Sequence, residues 1–440
     1  MNQAGRVFIA IILIVGVIGV LVTGAMMYTR LILAGALVII ISWIWSLTAL
    51  SGINISRSAR SLKASVGDVL EENFELTNLT VVPRLWVEIA NETSLPMASG
   101  SRLVTLLNGR QRRFYLARTW LLQRGAFSLG PTVLRAGDPF GLFRVKKEIP
   151  ATKALIVLPM ILDIEAFPSP PGLLPGGKAI RRKSNDITPH ASGVREYVTG
   201  DPIKSIHWPS TARRGRLMVK EFEQDPQAEV WLVLDTQSGI HHALPYEQKG
   251  EYLDSVIFRR KPQVDLPPSS LEYGVAIAAS LSHYFILRRR AVGFISAGQV
   301  LTMIPAERSD RQENKILETL AFVTDSGKLS LAGVMSAESK FLPSGSSVML
   351  ITPSIRPEVM LAVDDLQRRN LHPLVLLLMV DSFGGPRGSE KLAQSLLELN
   401  VPVCQVVCGE DLRKTLAGFA AQHITQESRT WQNPQYYPST

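Results

Sequence analysis

The chain has 440 residues, 46% of them hydrophobic, and a formal net charge of +9. That length accommodates about three domains and at least one large core. The placement of charge excludes a uniformly basic nucleic-acid binder: Met1 to Lys63 holds five basic residues and no acidic ones, Gly176 to Lys220 nets +7, and the rest of the chain carries −3.

Two apolar runs come first, Val7 to Met26 and Leu31 to Leu50, parted by Tyr28, Thr29 and Arg30. About twenty residues each, they suffice to cross a hydrocarbon core as helices. The first run is too long for a signal-peptide core, lacks a small-residue cleavage site and leads straight into another span. A two-helix transmembrane hairpin over residues 1–53 is therefore expected, with the lipid bilayer as its partner. Trp43 and Trp45 fit an interface, while Arg6, Arg57, Arg60 and Lys63 flank the two ends that share a side. The positive-inside rule puts that side, and the soluble domains of a two-pass cell-membrane protein, in the cytoplasm, with Arg30 counting the other way.

From 54 to 166 short alternating segments such as FELTNL, RLWVEIA, RLVTLL and RFYLAR are separated by Gly, Pro and Asn, the pattern of an antiparallel β-sandwich. Gly125–Leu129 and Thr132–Leu134 read as two strands joined by Gly130-Pro131, followed by the turn-rich GDPFGLF from Gly137 to Phe143. Residues 167–192 form a Pro/Gly/basic linker. Its cluster Lys178, Arg181, Arg182, Lys183 is read as solvated, the alternative being anionic lipid or nucleic-acid binding.

Residues 193–227 read as a structural joint, beginning GVREYVTGDPIKSIHWPSTARRGRLMVKEF. Asp201 before Pro202 is an N-cap with proline at the first helical position, so IKSIHW starts a helical turn that Pro209 closes at Trp208. Gly215 then breaks to RLMVKEF, whose alternation points Leu217, Val219 and Glu221 one way. Ile203, Ile206 and Trp208 are expected as packing anchors, and Arg213 and Arg214 as partners for carboxylates. Asp201, His207 and Ser210 are the residue types of a nucleophilic triad, which makes a hydrolase the alternative reading. Triads are normally assembled from separate loops, so no catalytic residue is assigned and His207 is read as a polar packing residue.

From 228 to 424 apolar strands alternate with helices. The strands are EVWLVLD, AVGFISA, SSVMLITPS, HPLVLLLMVD and VPVCQVV; the helices fall near 269–289, 308–324, 356–369, 389–399 and 411–422. This implies an α/β domain on a parallel sheet covered on both faces. Cys404 and Cys408, on one strand, stand about 13 Å apart at roughly 3.3 Å per residue, so they are core thiols and not a disulfide. A polar tail covers 425–440.

The pattern REY-x-x-GD-x-x-x-x-IHW-x-x-x-AR-x-G-x-L closely resembles the bacterial and archaeal "domain of unknown function 58" family. It is carried here by Arg195, Glu196, Tyr197, Gly200, Asp201, Ile206, His207, Trp208, Ala212, Arg213, Gly215 and Leu217. QRGAFSLGP and GDPFGLF, from Gln123 to Phe143, add to it; Pro209 departs from the lysine usual at its position. The resemblance implies a membrane anchor, a β-sandwich and a C-terminal domain similar to the von Willebrand factor A fold. Such domains often hold a divalent ion through an Asp-x-Ser-x-Ser loop, a threonine and a later aspartate. The corresponding loop is Asp235-Thr236-Gln237-Ser238-Gly239 and the later strand ends Ile351-Thr352-Pro353, leaving Asp235, Ser238 and Thr352 as a degenerate site. Mg²⁺ demands more oxygen ligands than these, so no cofactor is expected. His241 and His242 are adjacent, point apart on an extended chain, and are read as loop residues. The resemblance further implies a non-enzymatic interaction protein that partners a MoxR-type AAA ATPase in a chaperone-like assembly system acting on a client protein.

Overall fold

Apolar side chains dominate the first two elements, α1 (Ala4–Thr23) and α2 (Met26–Thr48), both long and apolar enough to cross a membrane. The computed structural model describes residues 4–151, 153–168, 191–198, 206–222, 229–246 and 265–431. The break between the helices falls at Gly24, with φ of 65°, and not at Tyr28-Thr29-Arg30. Glycine takes the left-handed conformation without steric cost, whereas Thr29 and Arg30 are tolerated inside a helix. The helices approach closely: a β-carbon on Gly19 would lie 2.2 Å from the Tyr28 ring.

Described residues up to Met160 form one compact unit; those from Ile161 to Tyr246 and from Leu266 onward belong to another. The strands of the first are β1 (Ile53–Ala59), β2 (Lys63–Ser65), β3 (Val69–Asn78), β4 (Arg84–Asn91), β5 (Arg102–Leu107), β6 (Arg112–Trp120), β7 (Gly125–Ser128), β8 (Thr132–Gly137), β9 (Arg144–Ile149) and β10 (Ala154–Leu158). They make antiparallel sheets β1-β3-β6 and β5-β4-β8-β9, and a third sheet β2-β10-β7. Period-2 alternation along β3 sends every second side chain inward. One buried cluster draws Ile53, Phe74 and Leu76 from the first sheet and Val87, Ile89 and Leu134 from the second. Two features depart from the sequence reading. β2 pairs with β10 in parallel, and β7 and β8, on either side of Gly130-Pro131, enter different sheets.

The basic residues after the helices are built into these sheets. Arg57 in β1 grips buried Glu72 in β3 through two bonds of 2.7 and 2.8 Å, and also donates to Asn91. Arg60 faces Glu71 at 3.8 Å. Arg6 donates to the Leu142 carbonyl at 2.7 Å.

The second unit contains β11 (Ala191–Glu196), α3 (Trp208–Arg214), β12 (Met218–Phe222), β13 (Val230–Leu234), α4 (Ser270–Leu287), β14 (Val292–Ala297), β15 (Leu301–Glu307), α5 (Asp310–Phe322), α6 (Leu331–Glu338), β16 (Ser347–Thr352), α7 (Glu358–Arg368), β17 (His372–Leu378), α8 (Ser389–Glu398), β18 (Val403–Val406) and α9 (Leu412–Trp431). The sheet order is β15-β14-β13-β16-β17-β18. It is parallel except that β15 runs antiparallel to β14, so the sheet is mixed and not wholly parallel as its apolar strands implied. β13, β14 and β16 are buried along their whole length, as expected where helices cover both faces. The Leu162 and Phe167 amides donate to Ser280 and Tyr284 of α4. Strand β18 stops at Val406, so only Cys404 lies on it. Both thiols are free, and burial pushes that of Cys404 up to about 12. α9 runs to Trp431, beyond Thr425, where the polar tail was expected to begin.

Candidate functional site at the strand ends

Successive connections leave β13 in opposite directions: β14 lies on one side of it and β16 on the other. That arrangement makes the carboxyl ends of the two strands the point where the strand order reverses, the usual place for ligands on an α/β sheet. Asp235 follows β13 directly and Thr352 is the last residue of β16. The Asp235 amide continues the ladder by donating to the Ile351 carbonyl at 2.9 Å.

The Asp235 side chain is 4% exposed and Thr352 is fully buried. Thr352 Oγ1 donates to Asp235 Oδ2 at 2.7 Å and accepts the Ser354 amide at 3.0 Å. The other carboxylate oxygen accepts the Gln237 amide at 3.2 Å. Burial pushes the Asp235 carboxyl up to about 6. The Thr352 hydroxyl and the Gln237 amide pull against that rise; Glu358 adds to it, and Arg356 opposes it. A buried acid with a raised pKa at the switch point of an α/β sheet makes Asp235 a functional-site candidate.

The surrounding loop is pinned. Ser238 is exposed and donates its amide to the Gly327 carbonyl, while the Gly327 amide returns a bond to Thr236. The two histidines separate: His241 contacts the Asp235 carbonyl and Ser270 Oγ, whereas His242 contacts the Ile240 carbonyl. Two residues here escaped the sequence reading. The buried Thr236 hydroxyl has no hydrogen-bond partner among the described residues, and Ser354 is 5% exposed beside Thr352. Hydroxyl side chains just past two apolar strands were the available signal. Beside the loop, Ala297, Gln299, Ser326 and Lys328 line a surface cleft of about 420 Å³. Among the described residues no group of three or more His, Cys, Asp or Glu side chains is placed to hold a metal.

The signature folds as a hairpin with a helix between its strands. β11 pairs antiparallel with β12, the Tyr197 amide donates to Leu217, and the His207 amide donates to Met218 at 2.7 Å. Helix α3 begins at Trp208 with Pro209 in its first turn, so Pro209 opens the helix and does not close one. Proline lacks an amide hydrogen that the first turn leaves unpaired anyway. His207 is the N-cap: its Nδ1 accepts the Ser210 amide at 3.3 Å and lies 2.7 Å from Ser210 Oγ. Two of the three triad residue types thus meet, as a helix cap; Asp201 lies outside the described residues, as do Gly200, Ile203 and residues 178–183. Thr211 Oγ1 ties the helix to β12 by accepting the Met218 amide at 3.0 Å. Gly215 ends the helix at φ 62°, a left-handed cap that turns the chain into the strand.

Several expected roles are corrected. Trp208 is 64% exposed because α3 buries none of its residues, so it is no packing anchor; Ala212 is exposed as well. Leu217 is exposed and Met218 and Val219 are both buried, which breaks the expected alternation. Ile206 is half-buried and bridges Val219. Arg213 and Arg214 are exposed, and the nearby acids Asp201 and Glu223 lie outside the described residues; Arg216 pairs with Glu196.

These features define a class: two apolar N-terminal helices, antiparallel sheets, and a mixed sheet with helices preceded by a signature hairpin. Residues 193–257 match the family described as "Protein of unknown function DUF58", a span that takes in the hairpin, β13 and Asp235. The match is confined to this segment, and the remainder of the chain lies outside it. It is also similar to "Uncharacterized protein YeaD" of Bacillus subtilis (strain 168), with 24% identity over 131 residues, 30% of this chain and 26% of that protein. A solved GH20 exo beta-N-acetylglucosaminidase from Vibrio harveyi, in complex with N-acetylglucosamine, aligns over 82% of this chain and 61% of its own at 9% identity. Its TM-score of 0.18 carries no argument.

Proposed function

We propose that the chain is a membrane-anchored interaction protein, not an enzyme. In this reading its C-terminal unit is a von Willebrand factor A-like domain, and the loops at Asp235 and Thr352 are presented to a protein partner. The strand segment 54–158 serves as a β-sandwich spacer, and the soluble units face the cytoplasm. The observation that carries the reading is the Asp235–Thr352 pair, a buried acid and hydroxyl bonded at 2.7 Å across the two parallel strands where the strand order reverses.

The donor set does not fit the divalent ion that A-like domains often hold. Both Asp235 oxygens are engaged, and Gln237 and Gly239 stand where hydroxyls are needed. In thermal unfolding, 5 mM Mg²⁺, a concentration on the order that supports extracellular-type divalent sites, is expected to raise the midpoint of parent and Asp235→Asn by the same small amount. A rise confined to the parent would restore the metal site.

From the family resemblance, the partner is a MoxR-type AAA ATPase. Crosslinking in native membrane through a photoreactive residue at Ser238, which is exposed on the loop, is expected to capture an ATPase of that class. Consistent recovery of other proteins, with none of that class, would remove the assignment.

A further inference from the structure

One pole of the β unit gathers apolar loop tips beside the ends of both helices. Four residues separate α2 from β1, and the carbonyls of the last two are held: Ser51 accepts from Arg84 at 2.9 Å and Gly52 accepts the Leu79 amide at 2.8 Å. The loop 79–83 between β3 and β4 therefore lies against the exit of α2. The turn 107–111 is beside it, because the Arg110 amide donates to the Thr80 carbonyl. The third loop, 138–143 between β8 and β9, meets the start of α1 through Arg6 and the Leu142 carbonyl.

What these loops and the strand ends that adjoin them expose is apolar and cationic. Leu79 is 65% exposed, Val81 70%, Leu106 60% and Phe140 52%. Arg110 and Arg144 are exposed among them. The acid in these loops is Asp138, which is 1% exposed and spends its oxygens on the amides of Phe140 and Phe143. Farther back, Glu75 is matched by Arg112. Exposed apolar side chains also lie away from this pole: Phe114 at 69% on β6, Leu103 at 60% near the far end of β5 and, at the opposite pole, Leu62 at 42%. Leu62 lies the length of β3 away, about 30 Å at roughly 3.4 Å per residue.

We propose that this pole is a membrane-contacting surface. The tips at Leu79, Val81, Leu106 and Phe140 enter the interface of the bilayer that α1 and α2 cross, and Arg110 and Arg144 meet anionic headgroups. Apolar tips flanked by arginines are the composition that binds such an interface, through buried apolar area and attraction to anionic lipid together. The occupant is lipid, because the helix ends that the loops touch place them at the bilayer surface. The proposal rests on the reading of α1 and α2 as spans.

The test is photocrosslinking of the full chain in phosphatidylcholine–phosphatidylglycerol vesicles. A benzoylphenylalanine is placed in turn at Val81, Phe140, Leu62 and, within α2, Leu37, and adducts are identified by mass spectrometry. Lipid adducts are expected at Leu37, and at Val81 and Phe140 several-fold above Leu62. Adducts at Leu37 alone overturn the proposal while leaving the spans in place, as does capture of a second protein chain at Val81 and Phe140. No adduct at Leu37 overturns the spans and the proposal with them. Removing phosphatidylglycerol is expected to lower the yield at Val81; an unchanged yield overturns the part given to the arginines.

Discussion

Glu72 and Asp235 are both buried acids, 1% and 4% exposed, in two differently built regions. Glu72, in the antiparallel sheets, faces the fork of Arg57, whose guanidinium also lies 5.1 Å from the Phe74 ring centroid. Asp235, at the end of a buried parallel strand, has a hydroxyl and a backbone amide instead. An acid paired with a guanidinium is neutralised where it stands and belongs to the scaffold. An acid held by uncharged donors keeps its charge unbalanced, and its proton affinity rises. The difference separates a carboxylate offset by a bonded cation from one whose burial is met by uncharged donors alone.

Four measurements can break or sharpen the contrast, from the largest expected effect to the smallest. Arg57→Ala leaves Glu72 buried without its partner and is expected to lower stability by about 3–5 kcal/mol. Denaturant unfolding in detergent measures it, and adding Glu72→Gln should recover most of the loss; no recovery would show that the pair is not the unit described.

Asp235 makes stability depend on pH. Its folded carboxyl titrates at about 6, above the unfolded value of 3.8, so the folded state takes up the proton first. The favourable contribution is complete below about pH 4 and lost as pH rises through 6, a swing of about 3 kcal/mol. Parent stability relative to Asp235→Asn should therefore grow as pH falls from 7 to 4. A flat difference would place the carboxylate in water. Thr352→Val removes one bond to the charged form and should cost about 2 kcal/mol at pH 7. It should also move the midpoint of that pH dependence upward; a downward move would contradict the geometry.

His207→Ala removes a helix cap and should cost about 1 kcal/mol, seen as faster hydrogen exchange at the Ser210 amide. Exchange unchanged at that amide would separate His207 from α3.

Much of the coarse architecture was legible. Unbroken apolar runs announced α1, α2 and the central strands, and alternation in FELTNL announced β3, because burial on two faces or one writes directly into residue order. What escaped was set by partners distant in sequence. β15 carries Pro305 and is only partly buried, so its edge position hid it. α6 is eight residues long with Gly333 inside it. At the site, Asp235 and Thr352 were legible as ends of strands, but their bond spans 117 residues and needed the sheet order. Trp208 misled because an aromatic ordinarily signals burial; here its helix buries nothing.

The short passage from α2 into β1 has a mechanical meaning. A pivot needs backbone that can rotate, yet Ser51 and Gly52 have their carbonyls clamped by Arg84 and Leu79. With those two carbonyls held, the first sheet is coupled to α2, so that a change in the direction of the helix becomes a change in the angle of the β unit.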